Sequence, residues 1–149
     1  MSKFKQDLER GNAGELLFLL NNPNLEKLPG FESDFICKKT GEKYELKTDY
    51  YDMNNTENFF IELWSDVDSK KRGGPIQAKR HGSKYYCYMF IKNSIYFKID
   101  IDYLVLFIAT NEHLYQKRKI YNDNWITEGL LIPRKDLIYE KISIISTTN

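Results

Sequence analysis

Residues 34–49, "DFICKKTGEKYELKTD", constrain the fold more than any other stretch of this chain. Phe35 and Cys37 precede Thr40-Gly41, and Tyr44 and Leu46 follow it, alternating with Lys43, Glu45 and Lys47. Alternation of period two around a glycine-containing turn predicts a β-hairpin with one apolar and one charged face. A two-residue Thr40-Gly41 loop, or a four-residue loop centred on it, opposes Asp34 to Lys47, Phe35 to Leu46, Ile36 to Glu45 and Cys37 to Tyr44. Phe35, Cys37, Tyr44 and Leu46 then share one face, and Asp34, Glu45 and Lys47 the other. A three-residue loop would set Phe35 and Cys37 beside Glu45, and burial selects against it.

Asp34 and Glu45 are diagonal neighbours in that register, roughly 7–8 Å apart along the backbone. Extended carboxylates from such positions reach a common divalent cation with oxygen ligands at about 2.1 Å. Lys47 beside them offers an ammonium to stabilise phosphoryl charge or orient a water. The other reading of the same face is a solvated edge in which an Asp–Lys cross-strand pair contributes under about 1 kcal/mol.

The rest of the chain surrounds the hairpin with alternating helix and strand. Phe4, Leu8, Leu16, Leu19 and Leu20 recur at helical spacing over residues 3–21, with a break possible at Gly11 or Gly14. "NNPN" ends this helix and "LPG" at 28–30 marks a turn. "NFFIELW" (58–64) reads as a third strand and "SDVDSKKRGG" as a polar loop. Pro75 and Gly82 bracket a short helix. "KYYCYMFI" (84–91) is strongly β-prone and pairs through "KNS" with "IYFKI". Asp100 or Asp102 caps a helix over "YLVLFIATNEHL", and the tail adds strands near "RKIYN" and "GLLIP" and a turn at "RKDLI". The expected class is α/β: helix, three strands, helix, strand, with a mixed sheet flanked by helices.

Composition narrows the function classes. The 149 residues are 42% hydrophobic and 29% charged, which suits one globular domain over 1–149 and excludes disordered or collagen-like chains. A net charge of +1 means that any nucleic-acid contact comes from a local basic patch. Cys37 and Cys87 lie in apolar alternating runs and read as buried, reduced thiols. "MSKFKQDLER" lacks the apolar core of a signal peptide, and no stretch reaches about 18 apolar residues. The expectation is a cytoplasmic protein that makes no membrane contact.

Asp34 followed by Glu45-Leu46-Lys47 resembles the signature of the PD-(D/E)xK nuclease superfamily. Asp34 matches its first acid, Glu45 its second and Lys47 its lysine. Ser33 stands where the motif's name has proline, a position variable among members. "GGPIQAKRHGSKYYCYMF" is similar to the helix-and-strand segment of small phage and bacterial members, including relatives of Holliday-junction resolvases. The resemblance implies a restriction-endonuclease-like core of helix, three strands, helix and strand. It implies Mg²⁺- or Mn²⁺-dependent cleavage of DNA, branched DNA in particular, by a homodimer in a bacterial or phage-infected cell.

Further residues extend the candidate site. Glu15, on the apolar stripe of the first helix, resembles the first-helix glutamate that reaches the metal in many members; its plain alternative is a capping box with Asn12. Gln77 resembles a glutamine that some exonuclease-like members carry, although His81 stands where those have tyrosine. Glu62, alternating with Phe60 and Trp64, is either a third carboxylate near the metal or a surface residue. Lys70, Lys71, Arg72, Lys79, Arg80 and Lys84 form the densest basic run and are candidate DNA contacts. His81 and His113 are too far apart in sequence for a zinc motif. The tyrosines Tyr85, Tyr86, Tyr88 and Tyr96 fit sheet packing better than base stacking. A DNA-binding or assembly module without catalysis is the alternative to a nuclease.

Overall fold

A computed structural model describes residues 13–29 and 34–144. Residues 13–21 are helical (α1). The helix stops at Asn22, and the amides of Asn21 and Asn22 donate back to the carbonyls of Leu17 and Phe18 at 3.0 and 2.8 Å. Such side-chain donors serve the carbonyls of a helix's last turn, where backbone partners run out. The expected beginning of this helix, with Phe4, Leu8, Gly11 and Asn12, lies outside the described residues, as do Gly30 and Ser33.

The strands follow as β1 (Leu25–Lys27), β2 (Phe35–Cys37), β3 (Lys43–Asp49), β4 (Asn58–Asp66) and β5 (Lys71–Arg72). Helix α2 (Gly74–Arg80) leads to β6 (Ser83–Phe90) and β7 (Ile95–Asp100). Helix α3 (Ile101–Asn111), β8 (Gln116–Tyr121), β9 (Ile126–Pro133) and β10 (Glu140–Ser143) complete the chain. The cap expected at Asp100 is present: its side chain accepts from the Tyr103 N–H at 3.0 Å. Two sheets result. One has the order β1-β2-β3-β6-β7-β10, with β3 and β6 parallel and the other neighbours antiparallel. The other is antiparallel, in the order β5-β4-β9-β8.

The centre of the six-stranded sheet, at β6 and β7, is covered on both faces. Phe18 of α1 packs with Leu25, Phe35, Cys87, Met89 and Tyr96 on one. On the other, Tyr86, Tyr88 and Ile99 meet Ala78 of α2, Leu104 and Ile108 of α3, and Phe59, Ile61 and Leu130 of the second sheet. Strand β6 lies between these clusters, which explains its nearly unbroken apolar run. Tyr86, Tyr88 and Tyr96 are core residues, as their alternation suggests.

Two expectations need correction. The hairpin pairs Phe35 with Tyr44 and Ile36 with Lys43, two residues away from the expected register. Its four-residue loop is Lys38–Gly41, closed by Cys37 N–H to Glu42 O and Gly41 N–H to Cys37 O, both 2.8 Å. Gly41 takes φ 77°, a left-handed conformation suited to glycine, and so it ends the loop rather than sitting in its middle. A slip of two preserves which face each side chain occupies, so the division into apolar and charged faces stands.

The second correction concerns the third strand. Residues 58–64 do not join the hairpin's sheet; β4 pairs with β9 and β5. Its Phe59, Ile61 and Leu63 are buried against the shared core, and Phe60, Glu62 and Trp64 point the other way. The hairpin's antiparallel neighbour is instead β1, three residues with one buried side chain, too short to show a period. Strand β10, paired with β7, was likewise not expected.

Candidate active site

The observed register brings Asp34 opposite Glu45, closer than the expected diagonal. Asp34 turns one carboxylate oxygen onto the Leu46 N–H at 2.8 Å, so its side chain is fixed to β3 itself. Glu45 hydrogen-bonds the Asp34 carboxyl and backbone. Burial, then the adjacent Asp34 charge, pushes the Glu45 carboxyl up to about 8. Asp34 is also raised by burial, partly offset by the bond from Leu46. The pair therefore shares a proton at neutral pH, held mainly by Glu45.

Two further carboxylates act on this pair. The Glu15 charge raises Asp34, and the Glu62 charge raises Glu45. Helix α1 brings Glu15 in by crossing β3 at Gly14, where a Cβ would lie 2.2 Å from Thr48 Oγ1. Lys27 of β1 ion-pairs with Glu15, while Asn12, the partner in the capping-box alternative, lies outside the described residues. Glu62 reaches inward across the start of α2. A Cβ on Gly73 would stand 2.1 Å from its Oε2, and one on Gly74 2.0 Å from its backbone oxygen. The double glycine exists for this close crossing.

Lys47 continues the charged face of β3 and opens, with Glu15 and Glu62, onto a cleft of about 920 Å³. Asp49, the next position in the same alternation, lines it too and hydrogen-bonds the Tyr88 hydroxyl. Sequence periodicity alone was enough to find Asp49. Arg118, on the cleft's far wall, had no such signal, because only the pairing of β8 with β9 and β9 with β4 carries it there.

The remaining candidates are more dispersed. Gln77 lies on α2 with its amide 3.1 Å from the His81 ring, and it does not line the cleft. Lys79 pairs with Asp102 at 2.8 Å, and Lys84 approaches Asp100 at 3.9 Å. Arg80 is exposed at the end of α2. Lys70 and Lys71 lie at the β4–β5 turn, and the Arg72 guanidinium stacks 3.7 Å from the Trp64 ring centroid. The basic run is thus divided between a hairpin and a helix whose lysines are partly neutralised.

The donor set fits a hard divalent cation. Two facing carboxylates held at a shared proton are stabilised when a cation replaces that proton, and all-oxygen donors favour Mg²⁺ or Mn²⁺. Among the described residues no three Asp, Glu, His or Cys side chains gather as a metal site. Mg²⁺ commonly takes only one or two protein carboxylates and completes its shell with water and phosphate oxygens. No helix among the described residues is long and apolar enough to cross a membrane. No protein-family model matches the chain, and no curated protein matches it significantly.

Proposed function

We propose that this protein is a metal-dependent deoxyribonuclease that hydrolyses phosphodiester bonds within DNA. The observation that carries the reading is the convergence of Asp34 and Glu45 at one proton, with Lys47 next along the same face and open to the cleft. Asp34 and Glu45 would hold Mg²⁺ or Mn²⁺, which when bound supplies Lewis acidity toward a phosphate and acidity to water. Lys47 places positive charge where negative charge builds on the phosphoryl oxygens. Glu15, tethered by Lys27, and Glu62 flank the pair and keep its field negative toward a cation.

The element order supports a restriction-endonuclease-like core: α1, then β1-β2-β3, then, after β4 and β5 of the second sheet, α2 and the parallel strand β6. That order is the one implied by the PD-(D/E)xK resemblance, with β1 in the role expected of residues 58–64. Branched DNA as substrate, a homodimer, and phosphate contacts by Lys70, Lys71, Arg72, Lys79, Arg80 and Lys84 belong to the same proposal. Gln77 enters it only if its amide leaves His81.

A second reading is a DNA-binding module without catalysis, in which Asp34 and Glu45 keep their shared proton in place of a cation. Purified protein incubated with labelled linear, single-stranded, flapped and four-way DNA separates the two. Cleavage in Mg²⁺ that EDTA abolishes supports the nuclease. Salt-sensitive binding with no cleavage in either Mg²⁺ or Mn²⁺ supports the module.

A further inference from the structure

The cleft beside Lys47 takes in Glu15, Asp49 and Glu62, whereas Asp34 and Glu45 are not among its lining residues. One wall is the end of β3 and the loop after it; the other is the outer face of the β4-β9-β8 sheet, with Phe60, Glu62 and Arg118. Arg118 and Glu62 lie on one cross-strand row, separated by Gly129, over which the Phe60 ring packs in the place a Cβ would take. The volume of about 920 Å³ equals a cube just under 10 Å on a side. That is less room than a double helix needs, whose major groove alone is roughly 12 Å wide. It suits a few unpaired nucleotides better than a double helix.

At the lip stands Tyr51, with 67% of its surface exposed. Its loop is held firmly. Asp49 accepts from the Tyr51 N–H at 2.8 Å and from the Tyr88 hydroxyl, and Tyr88 in turn accepts from the Phe60 N–H at 3.1 Å. Asp52 accepts from the Asn54 N–H at 2.9 Å and from the Asn93 amide at 3.0 Å, while Asn93 accepts from the Met53 N–H at 2.9 Å. The polar bonds therefore fix the backbone from which the Tyr51 ring projects into water. A tyrosine so placed contributes little to the core, but it stacks on a base at small entropic cost. Lys47 and Arg118 place one cation on each wall, facing the three carboxylates of the same lining, and so offer few charges for a duplex's phosphates.

We propose that this cleft takes an unpaired DNA strand, with one base stacked on Tyr51 and a backbone phosphate on Arg118. The inference rests on the DNA-hydrolysis reading and assigns that site a substrate with single-stranded character next to the scissile bond. Binding of a short fluorescent oligonucleotide, single-stranded and as a blunt duplex, tests it in EDTA, where nothing is cut. Tyr51→Ala is expected to weaken single-strand binding about 5- to 100-fold, from roughly 1–3 kcal/mol per stacked base. Tyr51→Phe keeps the ring and should bind like wild type. Arg118→Gln should lower the salt slope for the single strand by roughly 0.7. Duplex binding should be unchanged in all three, as should their thermal unfolding.

Equal losses on single strand and duplex in Tyr51→Ala, or no loss on either, overturn the strand site. Wild-type protein with flapped DNA and Mg²⁺ reports separately on hydrolysis. Tyr51-dependent binding without cleavage rejects the nuclease and leaves the strand site standing; cleavage without Tyr51 discrimination does the reverse.

Discussion

Glu45 faces Asp34 across the β2–β3 hairpin and keeps a proton that an isolated glutamate would release. The physical cause is burial first and the Asp34 charge second, and both act on the folded chain alone. Folding thus raises the Glu45 pKa from an ordinary 4.5 to about 8. Between those values the folded state binds more protons than the unfolded one, so the metal-free protein should lose stability as pH rises through that window. Each unit of upward shift is worth about 1.4 kcal/mol, giving an expected loss on the order of 1–4 kcal/mol. Urea unfolding in EDTA at a series of pH values across that window measures it. Glu45→Gln should flatten the profile and be the more stable protein at the alkaline end; an unchanged profile would show that Glu45 is not held protonated.

The same proton links metal binding to pH. A cation that binds the pair must displace it, so Mg²⁺ affinity should increase with pH up to about 8 and then level off. Isothermal titration in two buffers of different ionisation enthalpy should show proton release on binding near neutral pH. Asp34→Asn should remove the release together with most of the affinity.

Lys47→Ala should abolish cleavage and leave Mg²⁺ and DNA binding largely intact, because the ammonium acts on charge that develops during the reaction. Glu45→Gln should lose cleavage and Mg²⁺ affinity together, since a neutral amide oxygen is a poorer ligand for a hard cation. Wild-type turnover in both variants would remove the hairpin from the active site.

Gly74→Ala tests the crossing that holds Glu62. Gly74 has φ 60°, and a Cβ there would meet the Glu62 backbone oxygen at 2.0 Å. Backbone cannot retreat as a flexible side-chain tip does, so a loss of about 2 kcal/mol or more is expected. A shift of the denaturant midpoint measures it. Gly41→Ala, with a similar φ of 77° but open space around its Cβ, should lose less.

The cysteines should behave differently from one another, although the sequence suggested two buried thiols. Cys87 is fully buried, and burial pushes its thiol far up. Cys37 is only half-buried, at the hairpin loop, and bonds from Thr40 and Lys39 lower its thiol. Native protein should show one fast-reacting thiol with a disulfide reagent, absent in Cys37→Ser, and a second only on unfolding.

Much of the site was already present in local pattern. Alternation in residues 34–49 assigns Asp34, Glu45 and Lys47 to one face, and the structure keeps that face even though the register moved by two. The reason is that strand side chains repeat every two residues, so even slips leave faces unchanged. Asp100 as a cap, Pro75 and Gly82 around α2, and the β6–β7 hairpin are equally local and were equally readable. Tertiary structure decided the rest. Gly41 took the left-handed end of the loop and thereby set Asp34 opposite Glu45 instead of Lys47. Whether β4 or β1 bordered the hairpin depended on partners distant in sequence, since β4 found β9 some seventy residues away. Arg118, Glu62 and Tyr51 share a cleft only because strands from three parts of the chain converge. Period and capping chemistry are properties of neighbours along the chain; pairing between distant strands is settled by which buried faces fit together, and no local pattern encodes that choice.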